Sequence, residues 1–270
     1  MAQTNCQQSS FEFQGLGSRK VIANFEGGHL SSDGGGVLIL REIESREGLL
    51  KRLAGCFEDR RDPDLIEHAV PHLLAQRIHG LVLGYEDLND HDELRRDPGH
   101  ALGAGKEDLL GEHRRDGRDR GKALASGATL NRLELSAEKP DTRYHKIVPD
   151  VAGICDLLIG EGVKAIPRRS REVVLDFDAT DDPLHGKQEG AYFQGYYRHY
   201  CYLPLYCFCG NIPLWAELRD CKRDASDGTV EAMGKIVRRI RRRFGKRVRI
   251  IPVSYTHLRA HETVTLISYA

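Results

Sequence analysis

Between Glu172 and Ile251 the apolar residues of this 270-residue chain switch from period two to period 3.6 and back, and that succession narrows the fold more than any other feature. Val173-Val-Leu-Asp-Phe-Asp178 alternates apolar and acidic residues over strand length, which turns its carboxylates to one side. Tyr196 to Cys209 is a second run, rich in Tyr, Phe, Leu and Cys, and Pro204 inside it points to an edge or a bulge. Gly210-Asn211 marks a turn, and Ile212 to Leu218 is the returning strand of a hairpin. From Gly228 the spacing is helical, with Val230, Met233, Val237, Ile240 and Phe244 on one stripe. Asp227 is the candidate N-cap, Glu231 sits in the first turn, and Gly245 stops the helix. Val248-Arg-Ile-Ile251 then reads as a fourth strand. Strand, hairpin, helix, strand is an α/β order, and a right-handed crossover lays the last strand parallel to the first.

Upstream the pattern is mostly helical. Ser31-Ser-Asp-Gly-Gly-Gly36 lacks the Gly-Lys-Ser/Thr of a phosphate loop and reads as a turn feeding a helix over Val37–Ile43. Leu65, Ile66, Ala69, Leu73, Leu74, Ile78 and Leu81 recur at helical spacing, and Asp62-Pro63-Asp64 looks like a helix entry. Gly84 to Arg95 packs five carboxylates and His91 together, a pattern open to metal binding but commoner for caps and solvated charge. Residues 103–122 read as a loop, Ser126 to Asn131 as caps before a helix, Val148 to Ile159 as another helix, and Pro167-Arg-Arg-Ser170 as a linker.

Composition sets the class. Hydrophobic residues at 40% and charged residues at 30% provide for a sizeable core, and the apolar runs are too short to span a bilayer. The first residues lack the basic and apolar regions of an export signal, and seven cysteines without a C-x-x-C pair fit reduced thiols in a cytoplasm. Net charge is zero, yet residues 168–252 hold 17 Lys and Arg against 11 Asp and Glu. Lys235 to Arg249 alone carries nine positive residues and no acid. The apolar stripe leaves Lys235, Arg238, Arg239, Arg241, Arg242, Arg243, Lys246 and Arg247 as candidate contacts to DNA phosphates. A helix dipole needs far fewer charges at its C-terminus.

Asp176 and Asp178 lie two apart on a strand, with Asp181, Asp182 and His185 after them. Carboxylates at a strand end suit hard divalent cations, although acids there also merely solvate turns. Leu175-Asp-Phe-Asp-Ala-Thr-Asp-Asp-Pro-Leu-His-Gly186, with Gln188 and Gly195-Tyr-Tyr197, resembles the first catalytic motif of bacterial insertion-sequence transposases of the DDE group, in particular the insertion-sequence thirteen-eighty family. Gly27 to Gly35, Gln76-Arg77, Gly84 to Pro98 and Gly121 to Glu134 extend the resemblance, which runs from about Phe11 to Ile251.

The resemblance implies a mostly helical N-terminal region followed by the first half of a ribonuclease-H-like α/β core. It implies magnesium or manganese as cofactor, the terminal inverted repeats of a mobile element as DNA partner, and DNA cleavage and strand transfer as the reaction of the parent enzyme. It leaves pairing of two copies as a homodimer open and gives no membrane partner. Asp178 matches the first catalytic Asp and metal ligand, with Asp176 the weaker second ligand. The family's second Asp follows the fourth strand, whereas this chain has no aspartate after Asp227. The expected organisation is an N-terminal segment with short strands over 1–45, a helical region over 46–167, an incomplete catalytic core over 168–252 and a non-native tail over 253–270. His257 and His261 in that tail lack the pattern of a zinc-protease helix. An inactive transposase fragment is the expectation; a non-catalytic DNA-binding remnant and an unrelated metal-dependent phosphohydrolase are the rivals.

Overall fold

The computed structural model describes residues 10–24, 32–134, 146–186, 188 and 190–254. The chain divides into two compact units, 1–150 and 151–270. This boundary lies ahead of the expected division at residue 168, because the helix that precedes the linker packs on the sheet that follows it.

In the first unit, β1 (Ser10–Leu16) and β2 (Arg19–Asn24) form an antiparallel hairpin. Helix α1 (Ser32–Glu47) takes in the glycine run that was expected to be a turn, since buried Val37 and Leu38 anchor the segment as a helix. After α2 (Leu49–Ala54), strand β3 (Phe57–Asp59) leads to Pro63–Leu65, where the expected helix entry makes only a 3-10 turn capped by Asp62. Helix α3 (Val70–Val82) is the centre of the unit. It buries Leu73 and Leu74 with Leu130, Leu133 and Ile147, while Ala75 joins Leu50, Ala101 and Leu124 in a neighbouring cluster. Around it stand α4 (Asp90–Leu94), α5 (Pro98–Gly103) and α6 (Gly127–Glu134). Strand β4 (Ile147–Pro149) pairs with β3, so the expected helix from Val148 begins only after Pro149.

Buried Gln76 ties this unit together. Its side chain donates to the carbonyl of Ala125 at 2.9 Å and accepts from the amide of Ala125 at 3.0 Å. His91, 0% exposed, lies 3.4 Å from Gln76 Nε2, and His100 lies 3.0 Å from the Gln76 carbonyl. Two of the acids around His91 accept backbone amides: Asp87 receives the amide of Asn89 and Asp92 that of Gly127 at the start of α6. Among the described residues no three metal-binding side chains gather.

The second unit begins with α7 (Val151–Ala165) and is built on a four-stranded sheet. Strand β5 (Glu172–Ala179) shows the expected alternation: Val173, Leu175, Phe177 and Ala179 are buried, and the residues between them face outward. Three short strands follow, β6 (Asp182–Pro183), β7 (Tyr192–Gln194) and β8 (His199–Tyr202), making a separate sheet in the order β6-β8-β7. The expected single run over Tyr196–Cys209 is thus broken at Leu203-Pro204, where proline withholds a ladder donor.

Strand β9 (Leu205–Cys209) turns through Gly210-Asn211 into β10 (Ile212–Glu217). Helix α8 (Thr229–Phe244) carries the chain to β11 (Arg249–Ser254), which runs parallel to β5 from Arg249 opposite Glu172 to Ser254 opposite Phe177. The sheet order is β10-β9-β5-β11. Gly228, not Asp227, caps α8, because its left-handed φ of 79° turns the chain into the helix without a side-chain acceptor. Gly245 closes the helix at φ 74° as expected. Val253 and Ser254 lie inside β11, so the fold takes in the start of the stretch set aside as a tail.

Helices α7 and α8 cover the inner face. Ile159 and Val163 of α7 and Met233, Ile236 and Ile240 of α8 join Leu175, Phe177, Leu205 and Leu214 in one core. Each such side chain contributes about 1.5–3 kcal/mol by leaving water. Gly162 allows the close approach of α7: a Cβ there would stand 2.3 Å from the carbonyl oxygen of Pro213. No helix among the described residues is long and apolar enough to cross a membrane.

Candidate active site and nucleic-acid interface

The alternation of β5 gives its outer face Val174, Asp176 and Asp178. Asp176 is exposed and Asp178 half-buried, and both stand near the C-terminal end of a strand flanked by β9 and β11. Across the ladder Asp178 faces Tyr206 and Asp176 faces Phe208, while Val253 of β11 sits on the other side of Asp176. Two carboxylates therefore share one outward face, as the spacing required.

Beyond the strand end, Asp181 is engaged by His199, whose Nε2 lies 2.8 Å from Oδ2. Tyr197 packs close by: burial raises its phenol pKa, and the charges of Asp181, Tyr196 and Asp178 raise it further. It stays a protonated donor at neutral pH. Asp182 is exposed on β6 opposite Tyr202, and His185 is exposed. Tyr197 belongs to the Gly195-Tyr-Tyr197 string quoted from sequence without a role, whereas His199 was not singled out; its signal was the His-Tyr-Cys-Tyr of a short strand beside the acidic motif.

The basic helix divides into two sets. Arg241 is half-buried, and its guanidinium donates to the carbonyls of Gly245, Lys246 and Val248 at 3.4, 3.4 and 2.5 Å. Arg243 donates to Val163 O at 2.8 Å and Ile166 O at 3.2 Å, satisfying carbonyls at the end of α7. These two arginines, expected outside among the DNA contacts, fold back because a long guanidinium reaches the open carbonyls that helix ends leave. Arg238, Arg239 and Arg242 are exposed, and with Lys235, Asp156 and Ile159 they line an open cavity of about 270 Å³ between α7 and α8. Lys235 also pairs with Glu231 at 3.0 Å. Lys246 and Arg247 are exposed just beyond the helix.

A family model described as transposase DDE domain group 1 matches residues 13–262. The match spans both units and continues past β11 into the stretch after Ser254; His257 and His261 lie outside the described residues. None of the curated proteins or solved structures compared with the chain matches it. With the acidic strand, the crossover and the match over nearly the whole length agreeing, the chain belongs to the transposase DDE domain group 1 family.

Proposed function

We propose that this chain binds the ends of an insertion element through its second unit and carries in Asp178 the first carboxylate of the set that cuts and joins DNA. The observation behind this reading is the sheet order β10-β9-β5-β11 with β11 parallel to β5 through α8. That order supports reading the sheet as the opening half of a ribonuclease-H-like core, with Asp178 on the outward face of β5. Arg238, Arg239 and Arg242 supply fixed positive charge for backbone phosphates, which position a duplex without reading its sequence.

Domains of this family generally use divalent metal ions, and Asp176 and Asp178 are the hard oxygen donors that magnesium or manganese takes. Asp181 is occupied by His199, and no third donor joins the pair among the described residues. These residues alone do not fit a site for two ions, which needs ligands on both sides of the scissile phosphate. That shortfall favours DNA binding without cutting by the described residues.

The test is an assay of the purified chain with magnesium or manganese and duplexes carrying element ends. The expected result is binding without cleavage. Cleavage that disappears in Asp178→Ala would overturn the inactive reading and keep the site; absence of DNA binding would overturn both.

A further inference from the structure

The small sheet between β5 and β9 carries an aromatic surface that the core does not use. Phe193 and Tyr200 are direct cross-strand partners, their rings 5.6 Å apart and edge-to-face, and they are 59% and 56% exposed. Tyr196, in the turn that joins the two strands, is 84% exposed. The opposite side is anchored: Tyr192 and Tyr197 pack on the core, and buried Cys201 belongs to it. The turn is tied down too, with the Gln194 side chain donating to the Cys221 carbonyl at 2.9 Å and the Arg198 amide donating to the Gln194 carbonyl at 2.7 Å. Arg198 holds a left-handed φ of 62° and is exposed in the same turn as Tyr196.

We propose that this face receives unpaired bases of a DNA end, a reading that rests on the DNA substrate inferred above. Exposed rings on a rigid support lose little entropy on binding, and stacking on them suits any base because every base has a π-face. A duplex offers its phosphates outward and would call for a row of cations, whereas this sheet offers exposed rings and one exposed cation, Arg198, in its turn. An unpaired nucleotide needs that combination, a flat apolar partner for the base and one cation for its phosphate. A chain of contacts links the turn to the acidic strand end: Tyr196 meets Tyr197 at 5.0 Å, Tyr197 lies 6.1 Å from His199, and His199 lies 2.8 Å from Asp181. Bases separated at the acidic strand end therefore have a path through the turn to the exposed rings.

The experiment compares the full chain's affinity for a blunt duplex and for the same duplex with a three-nucleotide unpaired end carrying 2-aminopurine. Wild-type protein is expected to favour the unpaired end about tenfold and to quench the probe, in keeping with stacking on one ring. Phe193→Leu with Tyr200→Leu should bring both DNAs to equal affinity with blunt-duplex binding unchanged, and Tyr200→Trp should keep the preference. Tyr196→Ala, at the most exposed ring, should weaken the preference without touching the fold. Equal affinity in the wild type, or a preference that survives Phe193→Leu with Tyr200→Leu, overturns this inference alone. Arg238→Glu with Arg242→Glu should instead weaken both DNAs alike; binding of neither by the wild type overturns the DNA reading and this inference with it.

Discussion

Two arginines two positions apart on the basic helix do work unlike that of the neighbour between them. Arg241 and Arg243 spend their donors on main-chain carbonyls, while Arg242 faces outward. Arg243→Met should therefore lower stability by about 1–2 kcal/mol, the cost of leaving Val163 O and Ile166 O unmatched, and leave DNA affinity nearly intact. Arg242→Ala should do the reverse, weakening binding without shifting the thermal midpoint; denaturant melts paired with anisotropy titrations separate the two. Gly162 invites a harsher test. A methyl there would collide with the Pro213 carbonyl, so Gly162→Ala should cost about 1–3 kcal/mol through displacement of α7, read in the same melts.

Among elements, α8 is where the proposed DNA binding makes its salt prediction. With Arg241 and Arg243 withdrawn, Arg238, Arg239, Arg242, Lys246 and Arg247 remain outward, and half-buried Lys235, paired with Glu231, makes a sixth cation. If all six meet phosphates, affinity should fall roughly a thousandfold between 50 and 200 mM salt, and Arg238→Glu with Arg242→Glu should flatten that slope. A slope indifferent to these changes would return the helix to ordinary solvated charge. Strand β5 and helix α8 were readable in advance because each keeps one period long enough to repeat, and β5's acids had to share a face once its apolar residues were buried. Strands β6, β7 and β8 were not, since runs of two to four residues are too short for alternation to declare itself. The inward turn of Arg241 and Arg243 escaped for another reason: residue type fixes a charge, while its partner depends on which carbonyls the fold leaves open. Asp178 was placed from its string and its face, and its ladder partners Tyr206 and Phe208 only by register.

At the scale of the molecule the two units carry different liabilities. The first buries His68, His79, His91 and His100, with ring nitrogens of His68, His79 and His91 left without a partner. Burial pushes His68 down to about 3 and His79 and His91 to about 4, below the ordinary 6.5. Their folded pKa values are depressed, so the neutral rings are compatible with the fold above about pH 6.5, and stability is lost as the pH falls from there toward 4 and below. Melts from pH 7.5 to 4.5 should show the first unit failing earliest; a pH-independent midpoint would sink this. The second unit's burden lies in time. Helix α7 is synthesised ahead of the sheet it covers, and the Pro213 that Gly162 abuts comes 51 residues later. At about 5–20 residues per second the ribosome leaves its apolar stripe waiting for roughly 3–10 seconds, a window in which a chaperone or a neighbouring nascent chain competes for the surface that β10 will later claim.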